Sequence, residues 1–393
     1  MACPKQPILL DPSTWRPGEL DIGITARCNQ RCKYCYLERA ADSAQGDMSP
    51  EVAAQIVEYV SQLSTDLPPR KRVALNFFGG EPFLNFAVVQ QIILAAEKRQ
   101  LPIGKAIFTN GATATPEQVA WCREHDVLSK RSVGGCPEAC QHTRPGDYLQ
   151  RYERESAWWD DYHRPRRITT IPETAKYLMQ SMKYFYSKGY YGSLDFATDD
   201  YADWPLEAID EYKVQTERLA KEFVRQFKLG CVLGNEVLQL FARKIFANSQ
   251  TMTIGCGAGW GLQAITFDGY LMPCHRFLNE PRDSVMCGGK LSDFLAGNTP
   301  QFGKDLYQYA HLCSKGVESP QCRECETRQS CQHGCRHLSW VTSGDFWKTP
   351  DVRCIFTRHW RRLAIWVHSE LALFDPKWFE REATKCQPIP EEA

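Results

Sequence analysis

From residue 20 to residue 229, apolar strand-like runs alternate with helical patterns, and that alternation admits few folds. Residues 20–26, 72–78, 104–109, 128–133 and 193–196 read as strands. Residues 50–64, 86–99, 116–125, 172–188 and 205–229 read as helices. Ser49-Pro50-Glu51 is a helix start, with an N-cap serine and proline at the first helical position. Strands separated by helices pair in parallel through right-handed crossovers, so the fold class is α/β with a parallel sheet. In such folds ligands gather at the C-terminal ends of the strands.

The first of those ends carries Cys28-Asn29-Gln30-Arg31-Cys32-Lys33-Tyr34-Cys35, the spacing C-x3-C-x2-C. Three thiolates on one short loop can hold three irons of a [4Fe–4S] cluster, whose usual quota is four cysteines. The fourth iron is then open to a ligand that is not protein. Structural zinc prefers two paired Cys/His knuckles, and no Cys or His follows closely enough here to make a second pair. The chain holds 18 cysteines in 393 residues. No charged-then-apolar signal opens the sequence, so metal binding is a better account of them than disulfides.

Later strand ends carry further motifs. Gly79-Gly80-Glu81-Pro82 offers two glycines for close backbone approach and a carboxylate that can accept from an ammonium group. Thr109-Asn110-Gly111 is either a polar turn or a ligand contact, and both readings stay open. Ser132-Val133-Gly134-Gly135 follows the fourth strand, with Cys136 and Cys140 just beyond. That pair is read first as small buried hydrophobes and second as redox or ligating thiols. The second half holds Cys256, Gly269 and Cys274, then Cys322-x2-Cys325-x5-Cys331-x3-Cys335, and finally Cys354.

These motifs resemble the radical S-adenosylmethionine (SAM) superfamily, and the second cysteine array resembles its SPASM domain. The resemblance runs from about residue 20 to residue 354 and points to peptide maturases and anaerobic sulfatase maturases. It implies a partial (β/α)6 TIM-like barrel followed by a small Cys-rich SPASM domain with two auxiliary iron–sulfur clusters. The expected divisions are an extension over 1–19, the barrel over 20–230, the SPASM domain over 231–375 and a tail over 376–393. Three [4Fe–4S] clusters and SAM are the implied cofactors. Cys28, Cys32 and Cys35 would hold the SAM-binding cluster. Tyr34, Gly79, Gly80, Glu81, Asn110, Ser132 and Arg144 would contact SAM. Gly134 stands where the family pattern has Asp. Cys322, Cys325, Cys331 and Cys354 would hold one auxiliary cluster. Cys256, Cys274 and Cys335 would hold the other, with Cys313 or Cys287 as a candidate fourth ligand.

The activity so implied is reductive cleavage of SAM to a 5′-deoxyadenosyl radical, followed by oxidation of a ribosomally made peptide to a crosslink, thioether or related product. Cys/Ser oxidation of the sulfatase-maturase kind, or dehydrogenation of a small molecule, is the alternative. Sulfatase maturases have an Asp directly after the cysteine that matches Cys274. Here that position is His275, either a base or a donor to a cluster sulfur. The aromatic, Arg-rich stretch 146–167 reads as a loop, either a lid on its own barrel or a protein interface. Only 27 residues precede Cys28, so a separate leader-recognition protein, or direct binding to the core, is expected. Flavodoxin or ferredoxin is the implied electron donor. Acidic and basic residues balance at 47 each, which gives no footprint for nucleic acid. No apolar run reaches membrane-spanning length. A cytoplasmic enzyme follows as the expectation.

Overall fold

The computed structural model describes residues 17–37, 46–65, 67, 71–159, 166–188, 194–198, 201–229, 257–259, 261–297, 322, 324–327, 335–345 and 348–375. In chain order the elements are β1 (Glu19–Gly23), α1 (Pro50–Ser64), β2 (Val73–Phe78), α2 (Phe86–Lys98), β3 (Ile103–Thr109), α3 (Pro116–Glu124), β4 (Leu128–Val133), α4 (Pro137–Thr143) and α5 (Tyr148–Trp159). There follow β5 (Arg166–Thr170), α6 (Leu178–Ser187), β6 (Leu194–Thr198), α7 (Leu206–Lys228), β7 (Leu262–Ile265), β8 (Leu271–Met272), α8 (Leu291–Leu295), α9 (Arg336–Ser343) and α10 (Asp351–Phe374). The chain divides into two compact units.

The first unit comprises residues up to Ser132, Asp147–Asp160 and Gly257–Glu318. Its strands lie in the order β4-β3-β2-β1-β7-β8. All pair in parallel except β7 with β8, which form an antiparallel turn. One face of this sheet carries the apolar core of the unit. Leu20, Ile22, Leu75, Phe77 and Ile107 are 0 % exposed there and pack with Ile56, Val60, Val89 and Ile93 of α1 and α2. Residues of the opposite parity, Asp21 and Asn76 among them, fall on the inner face. The Ser49 hydroxyl accepts from the Val52 amide to cap α1. Thr115 and Gln118 close a reciprocal capping box on α3.

The second unit comprises Val133–Gly146, Asp161–Cys256 and Ser319–Ala393. Here β5 and β6 pair in parallel. The long helices α7 and α10 join through a cluster in which the Trp360 indole donates to the Tyr212 hydroxyl at 2.9 Å and Phe356 meets Trp204 and Tyr212 edge-on.

Two expectations need correction. The stretch 146–167 is mostly not a loop: α5 occupies Tyr148–Trp159, and Tyr148, Tyr152, Glu155, Ser156 and Trp159 are buried along one side of it. That spacing is helical, but two of the five buried residues are polar, so no apolar stripe announced the helix. The stretch 172–188 is a 3₁₀ turn, Pro172–Tyr177, running into α6 rather than one helix. Residues 166–170 form β5, which takes in the last two residues of the expected loop.

Candidate active site

The cysteine loop leaves the end of β1 through a braced approach. The Ile24 amide donates to Phe78 O at 2.8 Å, and the Ala26 amide to Gly46 O at 2.8 Å. Asp47 accepts from the Thr25 hydroxyl at 2.6 Å and pairs with the Arg27 guanidinium at 2.6 and 2.9 Å. The Gly79-Gly80-Glu81 segment lies against this approach, with Gly80 N donating to Thr25 O at 2.8 Å and Glu81 N to Arg27 O at 2.9 Å. A Cβ on Gly79 would come within 2.3 Å of Thr25 O, and one on Gly80 within 2.2 Å of Arg27 O. Gly79 also holds φ +139°. Only glycine fits here, because the neighbouring atoms are backbone and cannot swing aside.

Glu81 is fully buried, and its carboxylate faces the protein. It accepts from the Thr109 hydroxyl at 2.8 Å, the Asn110 amide at 2.8 Å and the Phe83 amide at 3.3 Å. Burial, with Glu155 adding, pushes its carboxyl up to about 7 despite those donors. The side chain of Asn110 in turn donates to Asn29 Oδ1 in the cysteine loop at 2.7 Å. Glu81 and Asn110 thus join three strand-end segments. Helix α5 closes the arrangement. Tyr148 Oη lies 2.9 Å from Asn110 O and 2.8 Å from Ser132 O. Glu155 accepts from the Thr113 and Ala114 amides at 2.6 and 3.0 Å. Asn29, Tyr148 and Glu155 carried no signal in the sequence, because each acts through partners distant along the chain.

Cys28, Cys32 and Cys35 are all half-buried. Cys28 and Cys35 line a cavity of about 530 Å³ together with Arg27, Arg31, Gly79 and Gly80. Burial first, and then the charges of Glu81, Cys32 and Cys35, push the Cys28 thiol up to about 12, against an opposing hydrogen bond from the Gln30 amide. Without a cation the loop therefore carries a thiol at Cys28. A metal ion is what turns such a group into a thiolate ligand. Among the described residues no three donor side chains converge into a ready-made metal cage. The donor set still fits a thiolate-held cluster, and so does Gln30. Its side-chain nitrogen is buried with no partner inside this loop, and cluster sulfurs accept such hydrogen bonds. Tyr34 is half-buried on the same loop, and Ser132 is half-buried in β4.

In the second unit, Arg144 is 4 % exposed just after α4. Gly134 has no room for the family's Asp, since a Cβ there would meet Cys140 Sγ at 2.7 Å and Thr143 Oγ1 at 2.8 Å. Cys136 and Cys140 are both buried in this unit. Cys325 Sγ lies 3.1 Å from Thr327 Oγ1 and faces Arg358, whose guanidinium is 4.0 Å from the sulfur. Burial raises the Cys325 thiol, but these donors and the Arg358 charge leave it net lowered. Cys322, Cys335 and Cys354 are half-buried. Cys256, Cys313 and Cys331 lie outside the described residues.

Back in the first unit, Cys274 is buried just after β8 and starts a 3₁₀ turn, His275–Phe277. His275 Nδ1 is 2.6 Å from Asp21 Oδ2, and its own backbone amide donates to the same oxygen at 3.3 Å. Asp21 is 2 % exposed and also accepts from Asn76 at 3.0 Å. The His275 ring stacks on Phe78 with centroids 4.6 Å apart and planes 4° apart. A carboxylate can only accept, so the neutral imidazole donates from Nδ1 and keeps Nε2 as its acceptor.

Comparison with known proteins now adds to this geometry. Residues 22–129 match the model of the radical SAM superfamily. These residues are a radical SAM domain. The radical SAM cyclopropyl synthase TigE of Paramaledivibacter caminithermalis is 26 % identical over 138 residues, 32 % of this chain and 29 % of TigE. This chain's match thus spans under a third of that relative's length. The tungsten-containing aldehyde ferredoxin oxidoreductase cofactor-modifying protein of Pyrococcus furiosus is 21 % identical over 85 % of this chain and 91 % of its own length. Among solved structures, anSMEcpe with bound AdoMet and Cp18Cys peptide superposes with TM-score 0.72 at 17 % identity, covering 92 % of this chain and 99 % of that one. SuiB of Streptococcus suis, bound to precursor peptide SuiA, gives TM-score 0.56 at 15 % identity over 86 % and 76 %. The fold is accordingly mixed α/β with a parallel sheet, matching a partial TIM-like radical SAM core. A [4Fe–4S] cluster and SAM are what this family leads one to expect in the braced loop. No helix among the described residues is long and apolar enough to cross a membrane.

Proposed function

We propose that this protein is a radical SAM oxidoreductase that modifies a residue of a ribosomally made peptide by net oxidation. The observation that carries the reading is the Asp21–His275 pair on the inner face of the sheet, directly after Cys274. Cys28, Cys32 and Cys35 would hold the cluster, with Gly79, Gly80 and the Asn110 turn beside it. Bound there, cluster and SAM supply a hydrogen-abstracting radical.

The chain's own residues bind, orient and accept a proton. Asp21 fixes the imidazole tautomer, so Nε2 is an acceptor. That favours His275 as the base that would take the proton, while an auxiliary cluster would take the electron, when the substrate radical is oxidised, over its role as a donor to a sulfur. The stack on Phe78 fixes the ring plane. Two of the similar structures hold peptides, which supports a peptide partner. Cys322, Cys325, Cys331 and Cys354 would hold one auxiliary cluster, with Arg358 offsetting its charge. Cys256, Cys274 and Cys335 would hold the second, with Cys313 or Cys287 as the fourth ligand. The peptide would bind the core directly or through a separate leader-recognition protein, and a flavodoxin or ferredoxin would supply the electron in the cytoplasm.

A second reading, a substrate that is not a peptide, rests on the match along 91 % of the cofactor-modifying protein of P. furiosus.

The test is anaerobic co-expression with each short peptide encoded beside the gene, followed by mass spectrometry in ordinary and deuterated water. The expected product is lighter by two hydrogens and disappears when Cys28, Cys32 and Cys35 become Ala. If no neighbouring peptide changes mass while the reduced protein still forms 5′-deoxyadenosine, the non-peptide reading stands instead.

A further inference from the structure

The inner face of the first unit carries a second feature, separate from the cysteine loop. Gly23 of β1 lies beside Phe78 of β2, and Phe108 of β3 lies beside Lys130 of β4. Phe78 and Phe108 stack at 3.8 Å with planes 19° apart, and the Lys130 ammonium sits 4.6 Å from the centre of the Phe108 ring. His275 stacks on the other side of Phe78. Gly23 leaves the first place in this row open, and Leu278, just after the His275 turn, fills it: a Cβ there would meet Leu278 at 3.0 Å. The result is one continuous row, His275–Phe78–Phe108–Lys130, crossing the sheet.

We propose that Lys130, at the end of this row, is a recognition subsite for a carboxylate side chain of the peptide substrate. The proposal deepens the peptide reading and rests on it. Three observations carry it. First, β4 alternates strictly. Ser129, Arg131 and Val133 are buried, and Arg131 donates to Ser156 of α5, while Lys130 is exposed on the opposite face. Second, no carboxylate pairs with Lys130 among the described residues, whereas Lys105, Lys213 and Lys228 each hold one at 2.6 to 3.1 Å. The acids of the same face are engaged elsewhere: Glu19 and Asp21 accept from Asn76, and Asp21 holds His275. Third, the stacked rings turn their faces to one another, so their edges are what a ligand meets. Ring edges carry the positive part of the aromatic quadrupole and favour an anion. The Lys130 ammonium over the ring face keeps donors for an incoming carboxylate, and such a charge-assisted pair is the stronger kind of hydrogen bond.

The row sets a distance as well. Three strand spacings separate His275 from Lys130, roughly 14 Å, which an extended peptide covers in about four residues. The acidic residue is therefore expected about four positions from the residue that reacts beside His275. SAM also bears a carboxylate, so the experiment must distinguish the two sources.

Reconstituted protein with SAM would be immobilised and offered a mixture of capped eight-residue peptides carrying Asp, Asn or Lys at each position. Wild type is expected to retain Asp over Asn peptides by about tenfold. Lys130→Met, whose chain still covers Phe108, should lose that preference, Lys130→Arg should keep it, and Lys130→Glu should favour Lys peptides. SAM affinity should be the same in all four. Retention of peptides with an unchanged acidic preference in Lys130→Met overturns the subsite and leaves the peptide reading intact. A fall in SAM affinity in Lys130→Met, with peptide selection unaltered, assigns the carboxylate to the cofactor and also overturns it. Retention of no peptide by wild type overturns the peptide reading and the subsite with it.

Discussion

At the scale of single residues, the site depends on groups whose chemistry is ordinary and whose surroundings are not. Gly80 lies 2.2 Å, by its absent Cβ, from a backbone oxygen. Gly80→Ala is expected to lose about 2–4 kcal/mol of stability and most iron loading, read by chemical denaturation and by iron per chain. Glu81 gives a pH signature. Its carboxyl is raised from 4.5 to about 7 by burial, so the folded chain keeps a proton that the unfolded chain has released. The associated stability is full below about pH 4.5 and is lost as pH rises to about 7. In the metal-free protein the stability difference between wild type and Glu81→Gln should therefore fall by on the order of 3 kcal/mol across that window. A difference independent of pH would refute the assignment. Asp21→Asn replaces one of two acceptor oxygens with an NH2 donor, so the His275 tautomer is no longer fixed. Product formation should drop on the order of 100-fold while SAM affinity holds, measured as product rate beside SAM binding. The sequence showed Glu81 as a carboxylate beside two glycines but not which donors it would meet. Asp21 was a single acid in an apolar strand, and its partner lies 254 residues away.

At the scale of elements, α5 is the instructive case. Its buried side combines Tyr148, Tyr152 and Trp159 with Glu155 and Ser156, so its helical period was masked by polarity. The helix is held by the turn it organises: Glu155 takes two amides of that turn and the Trp159 indole. Glu155→Ala strands those donors in a buried place. It should cost about 2–4 kcal/mol and weaken SAM binding, read by denaturation and by titration with SAM. Where local chemistry alone decides, the sequence was legible. Ser49 and Pro50 start α1 at the expected residue, and Ser49→Ala should cost about 1 kcal/mol in a thermal melt. Strands β2, β3 and β4 fall within one residue of their expected limits, because apolar β-rich runs bounded by Gly, Pro and polar turns have no competing conformation.

At the scale of the molecule, strand–helix alternation requires parallel pairing, and the parallel strands β1 to β4 and β7 follow from it. That pairing is why every motif found in the first 132 residues meets at one end of one sheet. The sequence by itself determined the α/β class, the three-cysteine loop and the Gly-Gly-Glu turn, because each is written in neighbouring residues whose spacing follows the period of the backbone. Only the tertiary structure decided that Glu81 faces Asn110, that Asp21 holds His275, and that Phe78, Phe108 and Lys130 stand in one row. Those contacts depend on strand register and on which face a side chain takes. Register and face are fixed by the packing of the whole sheet against α1 and α2, and no short stretch of sequence contains that information.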